Sequence, residues 1–422
     1  SYVAIPQTEW TAGYLGDAVS EKAEEAQDDI NAEFEKRLKE LEGNYADLSD
    51  AQSDLEESLE GNALAGHSDA TMKVNGRIHA DVWTFPGDSP GVNGFESDDV
   101  NISPQGRIGF RRIRFGGRGK IQCNMLYRIE MEFAGGDESE FRDVFIGWEK
   151  LPILQKLLIG NQKRPYGLDH LNSSRYNVFI ERPWVIESFN QDARRLGVQS
   201  YGVSDDQAWN WRYGVFNQRL IQDEGSYISD HWQGQIAGRL ANTIWWDECS
   251  DGRGYAHWAI SGTWADTDGN ADSDNFAESG ANEAQFRHRP EARTVSRWLD
   301  TGRIAGAEDY GLLGAEAVVN VGPVQLVGEY QNVWVNRPSG GNLHFHGGYF
   351  YISYFLTGEH MPWDRETGLL DRVIPRENFF VVDRCGRRVC RRGAWQVAIR
   401  YSMADFADRD IRGGIADSVT AA

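Results

Sequence analysis

The sequence predicts an all-β, antiparallel transmembrane barrel preceded by an α-helical coiled coil. Three observations predict it. No stretch approaches the roughly 18 consecutive apolar residues that a spanning helix needs, so a membrane crossing has to be made by a closed barrel. Beyond Thr71, apolar and polar residues alternate with period 2 along a dozen or so short segments. Before it, the apolar residues keep a period of 3.5.

The elements follow in order. Residues 1–19 form an N-terminal segment without a periodic pattern. Residues 20–60 read as the coiled coil: Phe34, Leu38, Leu41, Tyr45, Leu48, Gln52, Leu55 and Leu59 alternate steps of four and three, with Gln52 the one polar member. A strip this narrow is buried against another helix, which implies association, although a single amphipathic helix lying on its own barrel would use the same strip. Residues 1–70 carry 18 acidic and 4 basic side chains, a net of −14 out of the chain's −21. The balance argues against nucleic acid as a partner. Residues 61–70 read as a linker, and residues 71–422 as the barrel.

The barrel's clearest alternation places Ile121, Cys123, Met125, Tyr127, Ile129, Met131 and Phe133 on one face against Gln122, Asn124, Arg128, Glu130 and Glu132 on the other. Trp395, Val397, Ile399 and Tyr401 oppose Gln396, Arg400 and Ser402 in the same way. Strand candidates lie near 73–85, 107–117, 119–133, 141–149, 153–162, 194–203, 208–217, 232–241, 255–264, 310–321, 323–335, 347–358 and 394–404. Many have the nine to eleven residues of a tilted membrane strand. Connections alternate short and long, with 163–193, 265–309 and 359–393 the long ones, which predicts long loops on one side and tight turns on the other. The 15 Trp residues suit aromatic girdles at two membrane interfaces. A soluble β-sandwich that binds glycans through its Trp residues has the same alternation.

GRIGFRRIRFGG (106–117), RDVFIGWEKLP (142–152), IGNQKRPYGLDHLNSSRYNVFIERP (159–183), RRLGVQSYG (194–202), WNWRYGVFN (209–217), IAGRLANTI (236–244), GAEAVVNVGPVQLVGEYQ (314–331), YFYISYFLTGEH (349–360) and GAWQVAIRYSMADF (393–406) appear in that order. On these segments the chain from Arg107 onward resembles the phosphate-selective porin O and P family. The resemblance implies a sixteen-stranded barrel, a homotrimer, that admits small anions, among them phosphate-type oxyanions, across the bacterial outer membrane. Three protomers would also bring three coils together on the periplasmic side. The family closes its barrel with further strands and a terminal aromatic, whereas 413–422 shows no such signal, so the C-terminal strands are expected to be missing. A different function class is structural: the barrel anchors the chain in the lipid bilayer while the coil tethers the cell-wall or periplasmic layer.

A channel needs donors that replace an anion's hydration shell without trapping the ion. Arg supplies them as a fixed fork. The resemblance assigns the constriction to loop 163–193, where His170, Ser173, Ser174, Arg175 and Arg182 match the family's positions, with Asp143 on the preceding strand. His170 stands where phosphate-selective members carry Lys and supplies less fixed charge at neutral pH. Ordinary turn chemistry is the alternative for the Ser pair. Parity with Ile113 and Phe115 turns Arg112 and Arg114 inward and Arg111 outward or to a rim, unless a bulge resets the strand; Arg77 faces inward by the same rule, and pairing with wall carboxylates such as Glu130 is the alternative role. Arg287, Arg289, Arg293, Arg297 and Arg303 form a basic run in the long fifth external loop, 265–309, and the resemblance likens it to a ladder in the family.

Cys385 and Cys390, five apart in an Arg-rich segment, leave a local disulfide, free thiols or a poor metal site open. Asp266, Asp268, Asn270, Asp272 and Asp274 alternate as calcium ligands do but lack the central Gly and the closing Glu. His344 and His346 lack a third ligand. With no P-loop, nucleophile elbow or HExxH motif, the sequence predicts no enzyme, no cofactor and no metal centre.

Overall fold

The computed structural model describes Lys36–Arg37 and residues 70–422, apart from 88, 98, 122–123, 136–138, 191–192, 219–231, 268–283, 293, 339, 378, 380–381, 385–386 and 390. The expected coiled coil, Arg293, the Cys385–Cys390 pair and most of the Asp-rich run lie outside the described residues. Residues from Ala70 onward form one compact unit.

That unit is built on a fourteen-stranded antiparallel sheet whose strands pair strictly in chain order. They are β1 (Lys73–Trp83), β2 (Arg107–Ile121), β3 (Met125–Glu132), β4 (Glu140–Leu151), β5 (Gln155–Lys163), β6 (Arg194–Val203), β7 (Trp209–Asn217), β8 (Gly234–Trp246), β9 (Gly254–Asp266), β10 (Asp309–Val321), β11 (Val324–Asn336), β12 (Leu343–Phe355), β13 (Gln396–Asp408) and β14 (Ile411–Ala421). Among the described residues no pairing joins β14 to β1. Among the described residues, three short helices lie in the connections: α1 (Pro90–Ser97), α2 (Leu168–Leu171) and α3 (Trp184–Phe189).

The sheet is apolar outside, and its inner face carries both polar groups and buried apolar side chains. On β13, Ile399 is 50 % exposed while the adjacent Arg400 is 2 % exposed. Ile78 and Val82 on β1, Ile260 on β9 and Val319 on β10 all face outward. In water such a surface would cost about 25 cal/mol per Å² of apolar area, so a lipid surround is its natural solvent. Trp209, Trp245, Tyr354 and Trp395 ring one end of the outer face, and Trp264 and Trp334 mark the other. These are the two girdles expected of interfacial aromatics.

Thirteen strands fall where the alternation places them. The fourteenth, β14, occupies the stretch expected to carry no strand. Its pattern is weak because Gly413 and Gly414 interrupt it and Asp417 shares the outward parity of Ile415 and Val419. The alternation read as a single strand over 119–133 instead straddles a turn. Ile121 pairs with Met125, four residues on, so parity is unchanged across the hairpin and period alone cannot reveal it.

Loop asymmetry is also corrected. Connections after odd-numbered strands include 84–106, 164–193 and 267–308, and those after even-numbered strands include 122–124, 152–154 and 322–323. Gly322, at φ 56°, supplies the left-handed residue of the last. The long connection 356–395, however, leaves β12 and so lies at the tight-turn end. It folds back against the inner face, where a small hairpin pairs Trp363 with Leu370 and both are buried. Tyr255 donates to the Met361 carbonyl at 3.0 Å, and Asn210 to the Arg365 carbonyl at 2.8 Å.

Candidate functional site

Loop 164–193 turns inward and divides the inner face. Its α3 residues Val185, Ile186 and Phe189 are buried, and Phe189 packs on Phe286 of loop 267–308 and on Phe406 of β13. A dry core therefore fills the inner face of the later strands. On the earlier strands the inner face stays open and is lined by guanidinium groups.

Glycine begins the inward turn. Gly167 precedes α2 at φ 78°, and a Cβ there would come within 2.7 Å of Glu329 Oε1 and 2.8 Å of Gln331 Nε2. At the other end of α2, Lys163 spends all three of its N–H donors on the carbonyls of His170, Leu171 and Asn172, at 2.7, 3.0 and 2.8 Å. Arg182 reaches the same helix end, donating to the Asp169 and Asn172 carbonyls at 3.1 and 3.3 Å. Cations at a helix C-terminus satisfy its orphan carbonyls.

Two cavities open on this loop, each of about 350 Å³. The first is lined by nine arginines and four glutamates; the second by seven arginines, Lys163 and four carboxylates. Arg114, Arg182, Ala193 and Arg194 line both and form the neck between them. Cations therefore outnumber carboxylates two to one or more on each side of the neck.

Most neck charges are paired. Arg194 donates to Asp143 at 2.6 Å, and Arg128 lies 3.1 Å from the other oxygen of that carboxylate. Arg114 bonds Glu132 at 2.5 Å and Glu130 at 3.2 Å, and Arg182 bonds Asp169 at 3.1 Å. The excess positive charge comes from other arginines. Arg112 is buried, approaches His79 Nδ1 at 3.4 Å and has no carboxylate within 4.0 Å among the described residues. Arg212 donates to the Thr367 carbonyl at 2.9 Å and stacks over Tyr201. Arg289 donates to the Thr294 carbonyl at 2.8 Å.

The structure brings most of the expected residues together. Arg112, Arg114, His170, Arg182, Arg287, Arg289 and Arg297 line the first cavity, and Arg77, Arg114, Asp143, Ser173, Ser174, Arg175 and Arg182 the second. Ser173 also does turn work: its Oγ accepts from the Arg175 amide at 3.4 Å and its carbonyl from the Tyr176 amide at 2.9 Å. Arg303 does not reach either cavity. Arg77 stands 3.9 Å from Glu130, a looser approach than that of Arg114. His170 is buried, stacked on Tyr166, with Nε2 unpartnered. Burial first, then Lys163 and Arg164, holds its imidazole well below the ordinary range, so it is neutral at pH 7.

Of the two positions left open for Arg111, outward or at a rim, or reset by a bulge, the structure has the second. The register of β1 with β2 shifts between His79 and Ala80, leaving Arg111 as the extra residue of a bulge. Phe110 and Ile108 stay exposed, while Arg111 turns inward to bond Glu181 of the loop. Arg194 and Lys163 carry no alternation signal because each is the terminal residue of its strand, where the chain leaves the sheet for the lumen.

A model of the family described as phosphate-selective porin O and P matches residues 72–422. The chain belongs to that family. Its assignment makes this an outer-membrane porin. A protein of Caulobacter vibrioides described as uncharacterised is 25 % identical over 379 residues, covering 88 % of this chain and 69 % of the relative. Among solved structures, a loop L8 deletion mutant of OmpT, an outer membrane protein of Vibrio cholerae, matches at a TM-score of 0.45 and 11 % identity, over 80 % of this chain and 82 % of that one. OmpT of the same organism, folded in vitro and in its trimer form, matches at 0.44 and 11 %, over 83 % and 82 %.

Proposed function

We propose that this porin passes small anions passively, phosphate-type oxyanions among them, as a homotrimer with the acidic N-terminal coil on the periplasmic side. The observation that carries the anion preference is the two-to-one or greater excess of cationic over anionic side chains around both cavities that meet at Arg114, Arg182 and Arg194. Guanidinium groups in a low-dielectric wall raise the local anion concentration and repel cations. Pairing to Asp143, Glu130 and Glu132 keeps the neck from holding an anion too tightly, which conduction requires. The neutral His170 lowers the fixed charge at the loop and favours weak, broad anion binding over tight phosphate capture. Purified protein in a planar bilayer should give a chloride conductance that saturates with concentration, and inorganic phosphate should reduce that current. A conductance that rises linearly to molar salt with no effect of phosphate would contradict a binding site in the channel.

A further inference from the structure

Arg289 and Arg297 reach the first cavity from the tip of connection 267–308. The arms of that tip are tied to each other: Arg287 pairs with Asp300, His288 pairs with Leu299, and the Trp298 amide donates to the His288 carbonyl at 3.0 Å. Two buried carboxylates tie the tip to other elements. Glu291, within the tip, accepts from Arg400 at 3.2 Å and from the hydroxyls of Ser402 and Thr420, which moors it to β13 and β14. The other carboxylate, Glu96, comes from connection 84–106.

Glu96 stands in the last turn of α1. Pro90 opens that helix, where its missing N–H leaves no bond unmade, and Asn93 closes the turn after it by donating its side-chain amide to the Val100 carbonyl at 3.1 Å. The Glu96 carboxylate is buried and accepts three hydrogen bonds: from Arg107 of β2 at 2.7 Å, from the Val295 amide at 3.0 Å and from the Trp298 indole N–H at 3.1 Å. Beside it, Phe95 stacks on Trp298 with ring centroids 5.4 Å apart. Val295 and Trp298 flank Arg297 in the chain, so holding both fixes the backbone that carries this guanidinium. Hydrogen bonds to an ionised acceptor are roughly twice as strong as neutral ones.

Resting on the reading of the inner face as an anion pathway, we propose that Glu96 is a positioning residue for conduction: it latches connection 84–106 onto the tip of 267–308 and so sets where Arg289 and Arg297 stand in the first cavity. Glu96 does not itself line that cavity. It acts through the tip, and a carboxylate of the first long loop thereby supports anion passage instead of opposing it.

The sign of one effect tests this. Removing a carboxylate near an anion path raises anion preference by electrostatics alone. Releasing the tip lowers it, by about threefold for each guanidinium that leaves an ion about 6 Å away in water-like screening. In the full-length protein in planar bilayers under a potassium chloride gradient, Glu96→Ala should therefore reduce the anion-over-cation permeability ratio by about threefold or more. Trp298→Phe, which changes no charge and keeps the ring stack but loses the indole N–H, should shift the ratio in the same direction. In a chain already carrying Arg289→Gln and Arg297→Gln, Glu96→Ala should no longer lower the ratio, because the groups it positions are gone. A raised or unchanged ratio in Glu96→Ala or in Trp298→Phe, or an undiminished drop in the doubly substituted background, would overturn the latch. An anionic reversal potential in the wild-type channel with any of those results removes only the latch, whereas a cationic one removes the underlying reading as well.

Discussion

Replacing Asp143 by Asn should strengthen anion binding at the neck. The Asp143 carboxylate is buried and holds Arg194 at 2.6 Å and Arg128 at 3.1 Å, and Arg194 lines the cavities on both sides. An anion resting on Arg194 would lie about 6 Å from that carboxylate. Over such a distance the repulsion is roughly 0.7 kcal/mol with water-like screening and about 3 kcal/mol at an effective dielectric constant near 20. Asn keeps the shape and one acceptor oxygen while removing the charge. Anion affinity should therefore rise by about threefold at least and by up to about a hundredfold. In single-channel recordings the chloride conductance of the variant should saturate at a correspondingly lower concentration, with a lower maximum because the ion leaves more slowly. An unchanged half-saturation, or a shift of selectivity towards cations, would refute the reasoning that Asp143 tempers the arginines beside it.

Three further outcomes follow from other parts of the channel. Arg112→Gln should lower anion over cation permeability more than the double change Arg111→Gln with Glu181→Gln, because Arg112 has no carboxylate within 4.0 Å among the described residues while Arg111 is matched by Glu181; equal effects in reversal-potential measurements would refute the division into paired and unpaired arginines. Gly167→Ala should destabilise the protein by about 1–2 kcal/mol, since L residues at positive φ cost about that much and the new Cβ would press on Glu329; urea unfolding in detergent reads it, and an unchanged midpoint would count against the fixed loop entry. His170 is held neutral by burial and nearby cations, so its folded pKa lies below its unfolded value, and the unfolded chain takes up the proton first as pH falls through about 6.5. Stability should thus drop below that pH, and His170→Gln should lessen the drop; a variant with the wild-type pH slope would contradict it.

Much of this fold could be read before any coordinates. Alternation located strands most clearly where one face meets an apolar surround and the other polar groups, as with Ile129 against Glu130 and Ile399 against Arg400, because there the constraint acts residue by residue. It failed where the constraint is absent or silent. β14 carries glycines and an outward Asp417, and the turn between Ile121 and Met125 preserves parity. Arg77, Arg112 and Arg114 were legible by parity alone. For Arg111 parity left two positions open, outward or at a rim, or inward by a bulge, and the pairing with the partner strand decides for the bulge. The difference between paired and unpaired arginines depends on Glu181, Asp143 and Glu130, which reach the site from separate elements, and so it appears only in three dimensions. The strand candidates already place connection 356–395 after the twelfth strand, but its inward course rests on contacts with Tyr255 and Asn210 from distant strands, which appear only in three dimensions.

The excess of arginine around the neck should make the channel prefer anions. The most direct measurement is the reversal potential of the purified full-length protein in a planar bilayer under a tenfold gradient of potassium chloride. The expected potential has the anionic sign and moves towards zero in Arg112→Gln. A potential of cationic sign in the wild-type channel would contradict it.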